Sequence, residues 1–174
     1  MLIAMAGLPG TGKSTLVGRL AAALGGVVLS KDVVRAALFP PPVLDYSPAQ
    51  DDVAMAAVFA AAKFLLTTDP TRVVILDGRT FRRTVQVADL LAFGRELGQS
   101  VFMVECVCAD EVAGERLVRD SAEGGHPAKN RNTALHATMK ATAEPLLVPR
   151  LMVDTDRLTA DECLARALDY LRRA

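Results

Sequence analysis

The stretch Gly7-Leu8-Pro9-Gly10-Thr11-Gly12-Lys13-Ser14-Thr15 fits the phosphate-binding pattern G-x-x-x-x-G-K-[ST] at every fixed position. Its glycines let the backbone wrap with N–H groups turned inward around anionic oxygens. Lys13 supplies a point charge for β- and γ-phosphates, and Ser14 offers a hydroxyl to Mg2+. Residues 2 to 6, Leu-Ile-Ala-Met-Ala, form a continuous apolar run suited to a strand buried on both faces. Residues 13 to 24 then place Leu16, Leu20 and Leu24 on one helical face, and Gly25-Gly26 stop that helix. Strand, loop and helix thus stand in the order a phosphate site requires, with the helix N-terminus adding its partial positive charge.

Outward from this unit the same alternation continues. Strands are predicted at residues 27–29, 72–77, 100–107 and 151–153. Helices are predicted from a Ser30 cap to about Leu38, and over about 49–66, 85–97, 111–119, 131–143 and 159–171. Pro40-Pro41-Pro42 opens an extended loop to residue 48. Met55, Phe59, Ala62 and Leu66 form a stripe that reads as core packing, and Thr159 with Glu162 reads as a capping box. Apolar strands alternating with helices mean an α/β fold: a three-layer sandwich with a five-stranded parallel sheet and helices on both faces. At 174 residues one domain, 1–174, is expected, with a lid over about 116–131. In such sheets ligands sit beyond the carboxyl ends of the strands, so the residues after each strand are the ones to inspect.

Composition limits the partners. The 20 basic and 20 acidic residues balance, which disfavours a broad nucleic-acid-coating face while leaving a small acceptor or a strand end open. Cys106, Cys108 and Cys163 suit neither a disulfide framework nor a four-ligand zinc site and read as reduced core residues. No apolar stretch reaches a membrane-spanning length, and a cytoplasmic protein is expected.

The chemistry-bearing residues follow the strands. After the second comes Asp32-Val33-Val34-Arg35, with acid and base on one helical face. Either this is a helix-start ion pair worth about 0.2–0.5 kcal/mol, or Asp32 accepts the proton of an attacking hydroxyl while Arg35 orients oxygens of the acceptor. The third strand, Val74-Ile75-Leu76-Asp77, ends in a carboxylate that could hold Mg2+ or its waters. Gly78, rather than a water-activating glutamate, follows it, and no Asn/Thr-Lys-x-Asp base-reading element is present, so transfer gains over hydrolysis. Arg79, Arg82 and Arg83 crowd the next helix start against its dipole, where a solvated turn or contact with an acceptor or phosphate anion would each account for them. Arg116 and Arg119, three apart and ahead of Gly124-Gly125, with Lys129 and Arg131 beyond, suit a closing lid; a mixed-charge surface helix is the other reading. His126, His136 and a surface Tyr46 read as structural.

On the motif at Gly7 to Thr15, the Asp32-x-x-Arg35 step, the strand ending in Asp77 and the Arg-bearing lid, the chain resembles the small P-loop kinases around polynucleotide 5′-hydroxyl kinase, zeta-toxin kinases and chloramphenicol phosphotransferase. The resemblance implies a P-loop NTPase fold with an AAA-type loop, ATP and Mg2+ as cofactors, and transfer of the γ-phosphoryl group to a hydroxyl of a small-molecule or nucleotide-like acceptor. It implies Lys13 and Ser14 as triphosphate and magnesium ligands, Asp32 as general base, Arg35 as an acceptor residue, and Arg116, Arg119 or Arg131 as the lid cation. The segment Asp120-Ser121-Ala122-Glu123 departs from the denser basic lid of polynucleotide kinases, which makes the 5′-hydroxyl end kinase the second reading. A nucleotide-dependent switch with no acceptor is the rival from another class.

Overall fold

The computed structural model describes residues 1–124 and 126–173. Five strands, β1 (Leu2–Ala6), β2 (Val27–Ser30), β3 (Val74–Asp77), β4 (Val101–Val107) and β5 (Leu151–Asp154), form one parallel sheet in the order β2-β3-β1-β4-β5. The helices are α1 (Lys13–Leu24), α2 (Lys31–Leu38), α3 (Pro48–Thr68), α4 (Thr84–Glu96), α5 (Asp110–Glu123), α6 (Thr133–Ala141) and α7 (Ala160–Arg172). The expected five-stranded α/β architecture is present.

β1 is central because all five of its residues are apolar and sealed from solvent. The pleat sends alternate side chains to opposite faces. Leu2, Ala4 and Ala6 join Met55, Val58 and Leu66 of α3 and Leu90 of α4 on one side, whereas Ile3 and Met5 join Leu16 and Leu20 of α1 and Ala167 of α7 on the other. Register fixes the site end of the sheet, since Ser30 lies opposite Asp77 at the carboxyl ends of β2 and β3.

Boundaries shift where capping decides them. Ser30 occupies the N-cap of α2 without a side-chain bond, whereas Ser47 caps α3 by accepting from Gln50 N–H at 3.3 Å, with Pro48 opening the first turn. The Thr159–Glu162 capping box forms as expected. The expected lid, 116–131, divides: residues up to Glu123 continue α5 as regular helix, and Gly124, at φ 65°, ends it in the left-handed region. Arg116 and Arg119 lie on α5, as the predicted helix over 111–119 has them, and the described residues 126–131 lead to Asn132, whose side chain caps α6 by accepting from Leu135 N–H. Gly125, part of the expected lid, and Ala174 of the expected domain lie outside the described residues.

Candidate functional site

A cleft of about 880 Å3 opens at the carboxyl ends of the strands, lined by the loop after β1, the start of α2, the turn after β3, and α5 with the crossing that follows it. It brings together Lys13, Asp32, Arg35, Asp77, Arg79, Arg116, Arg119 and Arg131. Arg83 is exposed and does not line it.

The loop Gly7–Gly12 is packed too tightly for side chains at two of its glycines. A Cβ on Gly7 would meet the Cys106 carbonyl at 2.3 Å, and one on Gly10 would meet that of Ala113 at 2.6 Å, with φ at 124° and 83°. The loop is thus pressed between β4 and α5. α1 starts at Gly12 with no side-chain cap, so its first N–H groups remain open to an anion, and Ser14 and Thr15 are exposed in that turn. The Lys13 ammonium donates to the Leu8 carbonyl at 2.7 Å, and the Thr11 hydroxyl to the same oxygen at 2.8 Å. Burial pushes the Lys13 pKa down to about 8, against the opposing pull of the Asp77 carboxylate.

Asp77 ends β3 with one carboxylate oxygen, Oδ1, buried and without a hydrogen-bond partner among the described residues. An orphaned buried oxygen near Lys13 and the exposed hydroxyl of Ser14 suit a cation that keeps most of its waters. Among the described residues no group of three carboxylate, histidine or cysteine side chains forms a closed metal cage. That donor set fits Mg2+, which prefers one or two protein ligands together with phosphate and water.

Asp32 sits in a network of four charges. Its Oδ1 accepts from Arg35 Nη2 at 2.9 Å and lies 3.4 Å from Lys31 Nζ, and Oδ2 receives no hydrogen bond among the described residues. Asp51, in the first turn of α3, completes the network by accepting from Lys31 Nζ at 2.9 Å and from Arg35 Nη1. Arg35 is only 4 % exposed, and its guanidinium lies over the Tyr46 ring. Two acids and two bases thus balance one another within the cleft wall. Asp51 escapes sequence reading because only the meeting of α2 and α3 brings it to Arg35.

The arginines divide. Arg116 donates to the Thr155 hydroxyl and carbonyl at 2.8 and 2.9 Å, and the Thr155 hydroxyl donates to the Thr11 carbonyl at 3.1 Å. Arg116 is thereby tied to the end of the phosphate loop. Arg131 faces Asp120 across the crossing at 3.7 Å, and Arg119 is exposed on α5. A carboxylate of the protein itself, Glu144, stands at the start of α4 beside Arg82 and Arg83. Glu144 accepts from the backbone and hydroxyl of Thr84, and Arg82 and Arg83 stand close enough to help hold its carboxyl below the usual range.

His136, without visible partner spacing in sequence, turns out to brace the loop. It is buried, and its Nδ1 donates to the Pro9 carbonyl at 2.8 Å while Nε2 faces Asp110 Oδ1 at 3.3 Å. His126 lines the cleft, where burial pushes its imidazole pKa down. Cys106, Cys108 and Cys163 are free thiols; burial raises Cys106 to about 12, which leaves it inert. No helix among the described residues is long and apolar enough to cross a membrane.

Residues 2–146 match the family model described as an AAA domain. Among solved structures, the chain is similar to the Mycobacterium tuberculosis APS kinase CysC in complex with AMPPNP and APS, with a TM-score of 0.72, 20% identity and coverage of 98% and 96% of the two chains. It is also similar to Chaetomium thermophilum Kti12 in complex with ADP-AlF3, with a TM-score of 0.71, 18% identity and 98% of each chain covered. A gluconokinase from Sinorhizobium meliloti 1021 follows with a TM-score of 0.68, 19% identity and coverage of 98% and 91%. No curated protein matches by sequence. At these identities the likeness to the solved structures is one of fold.

Proposed function

The chain belongs to the AAA domain family, and on that premise we propose that it is an ATP- and Mg2+-dependent phosphotransferase acting on a hydroxyl of a small-molecule or nucleotide-like acceptor. The observation that carries this reading is the position of Asp32: a carboxylate held through one oxygen by Arg35, on the wall of the same cleft as Lys13 and Asp77. That two of the similar folds bear the names of kinases supports it.

Lys13 exchanges the Leu8 carbonyl for phosphate oxygens, and the open N–H groups of α1 hold the same anion. Asp32 accepts the proton of the acceptor hydroxyl at Oδ2, the oxygen its neighbours leave open. Arg35, fixed by Asp51 and Tyr46, sets the angle of that carboxylate rather than contacting the acceptor. Arg116, Arg119 and Arg131 neutralise charge spreading over the γ-oxygens. Ser14 and Asp77 would hold Mg2+, which would supply further charge neutralisation there. A single domain and a cytoplasmic setting complete the proposal, and three unpaired thiols suit a reducing compartment.

One observation favours a nucleotide switch: the Lys31–Asp32–Arg35–Asp51 network is balanced without any acceptor. Asp32→Asn separates the two. On the phosphotransferase reading it lowers transfer of labelled γ-phosphoryl by about 10²–10⁴-fold, with AMPPNP affinity nearly unchanged. Undiminished transfer would overturn the base assignment, and label released only as free phosphate across a broad acceptor panel would favour the switch.

A further inference from the structure

Cations line this cleft beyond those beside the phosphate loop. The whole chain is neutral, with 20 basic and 20 acidic residues, yet nine cationic and five acidic side chains line this one cleft, an excess of four. Three of those cations have acidic neighbours outside the lining, Arg19 with Asp161, Arg79 with Asp52 and Arg82 near Glu144, so what matters is how well each is matched.

Lys13 and Arg116 stand at the donor end beside the phosphate loop, and Lys31 and Arg35 are matched by Asp32 and Asp51. Arg79 and Arg82, on the turn between β3 and α4, are matched poorly. The Arg79 side chain is only 13 % exposed, and its acidic partner, Asp52, is 3.3 Å away and 73 % exposed, so water weakens the pair. Arg82 donates to the carbonyl and hydroxyl of Thr142, at 3.3 and 2.7 Å, which are neutral acceptors. The nearby Glu144 carboxylate bonds to Thr84 instead. Desolvation first, and then the charge of Arg83, push the Arg82 guanidinium pKa down, and the Glu144 carboxylate offsets them only in part.

The turn is also next to the candidate base. Gly78 packs so closely on the start of α2 that a Cβ there would lie 3.0 Å from the Asp32 amide nitrogen, and Arg79 follows directly. A molecule presenting its hydroxyl to Asp32 would therefore extend along the wall that carries Arg79 and Arg82.

We propose that Arg79 and Arg82 form an oxyanion subsite, so that the acceptor is a small hydroxylated acid carrying a carboxylate, sulfate or phosphate group apart from its reacting hydroxyl. This rests on the phosphotransferase reading above. The subsite is anion-selective because guanidinium groups offer forked donors to planar or tetrahedral oxyanions.

The test uses the full chain saturated with AMPPNP and Mg2+, into which inorganic sulfate is titrated by calorimetry. Sulfate is expected to bind the loaded protein, and Arg79→Gln/Arg82→Gln to weaken it by about tenfold or more with AMPPNP affinity retained. Retained AMPPNP affinity also shows that the variant is folded, and Arg82→Lys, which keeps the charge but not the fork, should recover part of the loss. Equal sulfate affinity in wild type and double variant, or no sulfate binding to the loaded wild type, overturns the subsite. A second arm offers γ-labelled ATP with matched pairs: glycerate and glycerol, gluconate and glucose, adenosine 5′-monophosphate and adenosine. Label on the anionic members supports the proposal. Faster labelling of the neutral members overturns it, as does transfer to an oligonucleotide 5′-hydroxyl with the steep salt dependence of several phosphate contacts. Sulfate binding lost in the double variant, together with no transfer to any acceptor, would uphold the anion subsite and bring down the phosphotransferase reading instead.

Discussion

The guanidinium of Arg35 lies 4.6 Å from the centroid of the Tyr46 ring, and the Tyr46 hydroxyl accepts a hydrogen bond from the Lys129 backbone N–H at 3.0 Å. One side chain thereby joins the residue that orients Asp32 to the segment crossing over the cleft. Tyr46 does so at φ 56°, a left-handed conformation that costs a bulky residue about 1 kcal/mol or more and persists only where contacts hold it.

Tyr46→Phe keeps the ring beneath Arg35 and removes only the bond to Lys129. Trypsin cleavage after Lys129 and Arg131 in the AMPPNP-bound protein is expected to rise about fivefold, the factor equivalent to a hydrogen bond of about 1 kcal/mol. Tyr46→Ala also removes a cation–π contact of about 0.5–1 kcal/mol and should slow transfer more than the Phe variant does. Identical digestion rates for Tyr46→Phe and wild type would show that the hydroxyl does not secure the crossing.

Lys13 makes nucleotide binding depend on pH. Its pKa, about 8 in the folded protein, lies below the ordinary 10.5. At pH 9 the free protein is therefore largely unprotonated at this group, and an arriving triphosphate favours the ammonium, so binding takes up protons. Near pH 6.5 the lysine is already charged and uptake from it vanishes. Calorimetry in buffers of different ionisation enthalpy reads the difference, and Lys13→Met should abolish it. Folding carries the matching sign: between about pH 8 and 10.5 the unfolded chain holds this proton and the folded one does not, so the contribution of Lys13 to stability rises with pH across that window.

His136→Ala leaves the Pro9 carbonyl without its buried donor. A loss of about 1–3 kcal/mol of stability is expected, accompanied by weaker binding of a fluorescent ATP analogue because the loop is no longer braced from α6. Lys140→Ala, which removes an exposed ion pair to Asp110, should change either quantity far less. Equal nucleotide affinity in His136→Ala and wild type would confine the histidine to packing.

Two glycines predict opposite outcomes. Gly10→Ala drives a methyl into the Ala113 carbonyl at a left-handed position and should lower Tm and impair nucleotide binding together. Gly18→Ala, in the middle of α1 with open space where the methyl would go, should raise stability by about 0.5–1 kcal/mol and leave binding intact. Thermal melts with and without ATP distinguish the two.

Local chemistry was legible in the sequence, and long-range meetings were not. Gly7 to Thr15, the buried β1 and the Thr159–Glu162 box each declare themselves within a few residues, and alternation of strands and helices yields the five-stranded sheet. Asp51, Tyr46 and His136 act across 16, 83 and 127 positions of chain, to Arg35, Lys129 and Pro9, and nothing in their own neighbourhoods signals those partners. The end of α5 is less legible for a subtler reason: the polar run Asp120-Ser121-Ala122-Glu123 looks like loop surface, yet its backbone continues the ladder of α5 until a left-handed glycine stops it. Arg83 was grouped with Arg79 and Arg82 by adjacency, but the turn leads it away from the cleft and leaves the other two lining it.

The placement of strands in the sheet also bears on how such a molecule can change over generations. β1 has neighbours on both sides and feeds a loop whose backbone touches β4 and α5, so an altered residue there disturbs the whole core. β2 lies at the edge, and the connector beyond α2, residues 39–47, is largely solvent-facing. Substitutions at the exposed positions 40–43 of that connector are therefore tolerated better than any in β1 or in the loop that follows it.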